Sequence, residues 1–334
     1  MIYGFIDAPC YLPSWDCPIE YSYWRYRPSF STNVTFTALF GLSMLLFLVQ
    51  GIIGRRWMGF SIAMISGCAL EVVGYIGRIL ASQDMFDENA FLIQIICLTI
   101  GPAFLAAGIY LCLARIVTTV GPEHSRIKPL SYPRIFIPCD VISLILQASG
   151  GGMASVATHN GENPITGNRI MIAGLSFQVV TLLLFIIIAV DFAWRTYSGR
   201  THLGQIPPNQ QQARLRRSWP FNAFLIALTI STLCIFTRCV FRVAELSEGW
   251  EGYLATSQKY FIGLEGAVIV ASVLLLNLCH PDMCFKDAID ARVVQPSQRT
   301  WYGKTRNAGM VLHGGDESHT ELVGFNNRDG KYRA

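Results

Sequence analysis

Apolar residues in this chain gather into seven long blocks, and polar residues are confined mainly to the stretches between them. The blocks fall near 34–53, 58–80, 90–114, 135–157, 169–194, 220–241 and 259–280. Each supplies roughly the 20 mostly apolar residues that an α-helix needs to cross a hydrocarbon core about 30 Å thick. The apolar positions run on as blocks instead of marking one face, which implies burial in lipid and not a water-facing amphipathic helix. Turn formers and charges mark the breaks, as in Gly54-Arg55-Arg56 and Gly121-Pro122-Glu123. The second block is interrupted by Glu71 and Arg78. The pattern predicts an all-α polytopic membrane protein, with a seven-helix transmembrane bundle over 34–280. A segment 1–33 precedes it. A tail 281–334 follows, mixing Gly, Asn, Asp and basic residues without periodicity, and it reads as largely disordered.

Charge then orients the bundle. The connections after the first, third and fifth blocks carry Arg55 and Arg56; Arg115, Arg126, Lys128 and Arg134; and Arg195, Arg200, Arg214, Arg216 and Arg217. The alternate connections are acidic, with Asp84, Asp87 and Glu88 in one and Glu245, Glu248 and Glu251 in another. Basic loops stay on the cytoplasmic side, so the expected topology is N-out and C-in. Residues 1–28 have no basic stretch followed by an apolar one, and a cleavable signal peptide is not indicated.

Composition agrees with lipid as the solvent. Of 334 residues, 52% are hydrophobic and 14% charged, against about 25% charged in a soluble domain. The net charge of +4 is modest, and no basic stripe interleaved with aromatics points to nucleic acid. Six histidines and ten cysteines form no CxxC or HExxH spacing, so neither a metal nor a cofactor is expected. Cys10 and Cys17 fall on the expected outer side, where disulfides persist; the sequence leaves a bridge and two free thiols equally open. Cys284 reads as a plain cytosolic thiol in preference to a palmitoylation site. Asn33-Val34-Thr35 is a glycosylation sequon, but it starts the first block, too close to the bilayer for modification.

Candidate chemistry lies inside the blocks. A charged side chain at a span centre costs about 2.5–3.5 kcal/mol on insertion scales, so it faces the bundle interior. Glu71, Tyr75 and Arg78 share one helical face at i, i+4 and i+7, and Arg238, Arg242 and Glu245 repeat that spacing. Glu265 lies about two turns into the seventh block. Three carboxylates and three guanidiniums thus form a near-neutral set, which fits an ion-pair network locking the helices and a substrate-contacting vestibule equally well. A second stripe, Asp140, Ser143 and Gln147, runs up the fourth block toward Gly150-Gly151-Gly152, with Gln178 on the fifth. Interhelical hydrogen bonding is the favoured reading of that stripe, ahead of a polar track for a lipid headgroup. The glycine run would permit close approach or local unwinding, and Gly101-Pro102 a kink.

Several stretches, in this order, resemble one known family. They are Tyr26-Arg27-Pro28-Ser29 with Asn33 and Phe36; Glu71-Val72-Val73-Gly74-Tyr75-Ile76-Gly77-Arg78; and Pro102-Ala103-Phe104-Leu105-Ala106-Ala107 with Tyr110 and Arg115. Asp140, Ser143, Gln147 and Gly150 to Gly152 continue the series, then Gly167, Gly174 and Gln178. It closes with Arg238, Arg242, Glu245, Gly249, Glu265 and His280-Pro281. Over residues 20–282 the chain resembles the fungal lipid-translocating exporters, seven-span proteins of the aminocholesterol-resistance and sphingoid long-chain-base exporter kind. Gly101 departs from the pattern, where alanine is expected. The resemblance implies export of lipids or lipid-like amphiphiles such as sphingoid bases and sterol analogues, resistance to toxic lipids and drugs, and residence in the plasma membrane over the vacuolar or endoplasmic-reticulum membrane. Membrane lipids or amphiphilic small molecules are then the expected partners.

Other classes fit the residues less well. No GxxxxGK[ST] loop supports ATP-driven pumping by this chain alone. The histidines are too scattered for a zinc triad, which argues against a lipid hydrolase. A seven-span lipid-responsive sensor is the runner-up. Against a G-protein-coupled receptor, the third block ends without an Asp/Glu-Arg-Tyr triplet and the seventh without Asn-Pro-x-x-Tyr.

Overall fold

The computed structural model describes residues 22, 24, 26–120, 125–198, 219–249 and 252–282. Cys10, Cys17 and Cys284 lie outside the described residues, as do the segments 1–21 and 283–334. Seven long helices form the bundle: α1 Phe30–Ile53, α2 Met58–Ala81, α3 Glu88–Val120, α4 Ser131–His159, α5 Ile165–Ser198, α6 Trp219–Ser247 and α7 Gln258–Leu278. All are long and apolar enough to span a bilayer, and no strand occurs among the described residues. At 1.5 Å per residue even the shortest, α7 with 21 residues, covers about 30 Å. The interrupted second block is helical throughout.

Several helices outrun their apolar blocks. α3 continues past Leu113 and Ala114 to Val120, and α4 begins at Ser131, ahead of its block. A helix keeps its backbone bonded as it leaves the hydrocarbon, so polar ends extend it at little cost. Local chemistry sets the boundaries. Asp87 Oδ1 accepts the Asn89 N–H at 2.9 Å and Asn163 Oδ1 the Ile165 N–H at 3.2 Å, each satisfying a donor that a helix start leaves over. The tight connection from α4 to α5 turns at Gly161, whose φ of 71° suits a residue without Cβ.

Each helix packs on its neighbours in sequence, and α7 returns against α1. α3 touches α2, α4 and α6, and α6 touches α3, α5 and α7, so these two helices tie the bundle across its ring. One end carries the acidic connections 82–87 and 160–164 with Glu248; the other carries Arg55, Arg126, Lys128 and Arg195. Leu42, Leu45, Leu46, Val49 and Ile52 on α1 point outward, an apolar surface suited to acyl chains. The interior is aromatic. Phe36 and Phe40 pack on Tyr75 with ring centroids 5.1 and 5.7 Å away, and Tyr110 sits 4.6 Å from Phe185.

At the basic end the His280 ring lies 5.7 Å from Phe60, and its Nδ1 accepts the Asp282 N–H at 3.3 Å. Burial pushes its pKa down to about 4, so this imidazole is neutral at physiological pH. The glycine run on α4 does not unwind the helix, which is continuous from Ser131 to His159. Gly150 alone of the three meets another backbone; a Cβ there would lie 2.5 Å from the Met171 nitrogen. Gly152 faces open space.

Candidate functional site

Nine of the ten polar residues singled out from sequence are buried, and Arg242 is half-buried. They do not form one network. Most of the charged groups gather among α2, α3, α6 and α7, and the amides lie between α4 and α5.

The organising contact of the charged group begins with a proline. Pro102 has no N–H, so the carbonyl of Leu98, four residues earlier on α3, loses its helical donor. Arg238 of α6 supplies the missing bond, its Nη2 donating to the Leu98 oxygen. The same nitrogen lies 2.6 Å from Glu265 Oε1 on α7, and this ion pair is almost wholly buried. One guanidinium thus ties the carbonyl freed by Pro102 on α3 to a carboxylate on α7. The helix bearing that carboxylate is itself irregular. Residues Phe261–Ala267 form a π-helical turn, a wide turn that recurs at functional sites.

Arg78 solves its burial differently. At 1% exposure it has no carboxylate partner among the described residues. Its Nε donates to Asn33 Oδ1 at 3.3 Å and its Nη2 to the Tyr26 hydroxyl at 2.9 Å. The guanidinium carbon sits 3.8 Å from the centroid of Phe261, so the ring face of the π turn offers a cation–π contact. Asn33, the first residue of the sequon, is buried, and its Oδ1 is held by Arg78. Just above, Trp24 donates to Gln94 Oε1 at 2.7 Å, and Trp24 and Tyr26 together close the acidic-loop end of the cluster.

Arg242 pairs with Glu245 within α6. Glu71 is left over. It is 1% exposed, belongs to no ion pair among the described residues, and its Oε1 has no hydrogen-bond partner. The sequence pattern suggested three carboxylates matched by three guanidiniums; the structure matches two pairs and leaves Glu71 and Arg78 apart, seven residues from each other with Tyr75 between them. Gly101 makes room for the carboxyl. A Cβ at that position would lie 3.0 Å from Glu71 Oε1, so the alanine expected there would force a shift.

The second group is neutral apart from Asp140. Gln147 Nε2 donates to Gln178 Oε1 at 3.0 Å across α4 and α5, and Ser143 turns back onto the Asp140 carbonyl. Asp140 lies beside the Tyr110 hydroxyl of α3. Gly150, Gly167 and Gly174 hold the two helices together; a Cβ on Gly167 would lie 2.5 Å from the Ala154 nitrogen.

A cleft of about 840 Å³ opens between the starts of α1 and α7, with Ser29, Thr32, Lys259, Tyr260 and Ile262 among its walls. It adjoins the π turn at the acidic-loop end. No group of three metal-binding side chains occurs among the described residues.

Sequence reasoning missed three elements of this arrangement. The Leu98 carbonyl is a backbone atom, but the free acceptor four residues before Pro102 was there to be found. The π turn and the Arg78–Phe261 contact leave no signal in spacing.

No solved structure matches the chain significantly. The sphingoid long-chain base transporter RSB1 of Saccharomyces cerevisiae is 35% identical over 281 residues, covering 78% of this chain and 73% of the relative. Protein RTA1 of the same yeast is 28% identical over 282 residues, covering 77% and 84%. Protein RTM1, also from that species, is 31% identical over 218 residues, covering 64% and 65%. The family profile described as RTA1 like protein matches residues 64–288, from α2 to beyond α7 and including every charged residue of the buried cluster. On that match this integral membrane protein belongs to the RTA1-like family, the fungal lipid-translocating exporters that its motifs resemble.

Proposed function

We propose that this protein translocates lipids or lipid-like amphiphiles, sphingoid bases among them, across the plasma membrane. The observation that carries the reading is the 35% identity to a sphingoid long-chain base transporter over 73% of that protein's length. The buried cluster gives it a physical setting. Ionic groups inside a bundle are costly and mark substrate or ion pathways, and a cleft walled by Ser29, Thr32 and Lys259 as well as apolar surface suits a headgroup whose tail stays among the acyl chains.

In this reading Glu71, Tyr75, Arg78, Arg238, Arg242, Glu245 and Glu265 line the pathway, while Asp140, Gln147 and Gln178 hold helices. Basic connections face the cytoplasm, which puts the cluster in the outer half of the bundle and the tail 281–334 inside. The chain acts as a carrier and not as an enzyme, and it lowers the cell's exposure to toxic amphiphiles.

The test is flux of labelled sphingoid base and phospholipid across liposomes containing the purified protein. Flux above empty liposomes, lost in Arg242→Ala at equal incorporation, is the expected outcome. Saturable lipid binding without flux for any amphiphile would replace the carrier with a lipid-responsive sensor.

A further inference from the structure

Glu71 has the burial of a structural residue without a structural partner. Its own helix presents Cys68 and the Tyr75 hydroxyl, which also lacks a hydrogen bond. Cys97 and Gly101 face it from α3. α1 contributes the Phe36 and Phe40 rings, packed on Tyr75. Among the described residues the cation in reach is Arg238 of α6, and the other carboxylate is Glu265 of α7. Arg238 is already committed to Glu265 and to the Leu98 carbonyl. An ionised Glu71 would thus be a second negative charge competing for one guanidinium, in surroundings that exclude water. Buried carboxylates without partners neutralise instead, and the neutral acid is the form that fits this site.

We propose that Glu71 is a proton-binding site, and that its proton is exchanged for the ammonium group of a cationic amphiphile. The inference rests on the translocator reading and adds a coupling ion to it. The exchange conserves charge. The carboxyl releases its proton to water, and the resulting carboxylate accepts the ammonium N–H bonds, so one positive charge replaces another. On release of the amphiphile the carboxylate takes up a proton again. At no stage does the bundle hold a bare carboxylate, and each outward step of a cation carries a proton inward. Pro102 and the π turn, which interrupt the regular helical bonding of α3 and α7, are the places where the helices can part to admit the headgroup. An amphiphile without a cationic group has nothing to exchange.

The experiment measures protons and binding on the full-length protein in detergent, in weak buffer with a pH indicator. Dihydrosphingosine is expected to release about one proton per molecule bound, and its N-acetylated analogue none. Infrared difference spectra should show the carbonyl band of a protonated carboxylic acid in the free protein, absent in Glu71→Gln and lost on binding the base. Glu71→Asp, which keeps the carboxyl, should retain the band and the release. Binding without proton release, or a band unchanged in Glu71→Gln, would overturn the proton site; if liposome flux persists alongside, the translocator reading stands without it. Neither binding nor flux of the base would overturn both.

Discussion

Between α4 and α5 the buried polar groups that cross the seam are neutral amides, whereas among α2, α3, α6 and α7 they are charged. The Gln147–Gln178 amide pair shares one hydrogen bond at 3.0 Å and leaves the neutral Gln147 Oε1 over, and glycines bring the backbones so close that a Cβ on Gly150 or Gly167 has no space. In the charged cluster the atoms left over belong to ionisable groups: Glu71 Oε1, Glu265 Oε2, Arg78 Nη1 and Arg238 Nε are all buried without a partner. Neutral amides in a membrane interior are cheap and give adhesion. Unfinished ionic groups are expensive, and a fold that needed only adhesion would use more amides. The difference is one of charge: the amide pair of the seam leaves a neutral oxygen over, and the cluster leaves ionic groups over.

The largest effect expected from breaking this distinction is at Arg238. Arg238→Ala leaves Glu265 without its cation and Leu98 without its donor; removing one partner of a buried pair costs about 3–5 kcal/mol. Thermal unfolding in detergent should show the loss. Arg238→Met with Glu265→Leu should recover much of the stability, since no bare charge remains, yet show no amphiphile flux. Recovery of flux as well would make the pair structural only.

Gly167→Val comes next. The added side chain meets backbone atoms of α4, which cannot rotate away, and overpacking of this kind costs about 1–3 kcal/mol. Stability should fall while flux per folded molecule is kept. The smallest effect belongs to Gln147→Leu with Gln178→Leu, where a change of about 0.6 kcal/mol matches an average interhelical hydrogen bond. Unchanged flux in that double variant would sharpen the comparison; lost flux at full expression would move the seam into the pathway.

The seven spans were legible because lipid imposes a length and a composition that no other solvent demands. The inward direction of Glu71, Arg78 and Arg238 was equally legible, since a charge facing hydrocarbon is costly and spacing of i, i+4 and i+7 fixes one face. Which charge meets which was not. The choice of Arg238 for Glu265 over Glu71 depends on the axial register of α6 against α7 and on the free carbonyl behind Pro102, and spacing within one helix says nothing of either. Of the two readings of the α4 glycines, close approach holds at Gly150 and unwinding does not, and sequence could not choose because a glycine run looks the same in either case. Residues 1–33 offered the least, because Trp24 and Tyr26 act through contacts to Gln94 and Arg78, some seventy and fifty residues distant in the chain.

The wide turn at Phe261–Ala267 has a bearing on ancestry as much as on motion. A π turn is an α-helix carrying one surplus residue, held in place because closing it would rotate everything on one side by about 100°. Deleting Gly263, whose surroundings are open, would let the helix rewind and swing Gln258 to Phe261 around its axis, carrying the Arg78 stacking ring out of place while Glu265 kept its partner. A single-codon deletion there would dissociate the two arginine sites from each other, and chains of this family that have shed or regained that codon would be natural records of the same experiment.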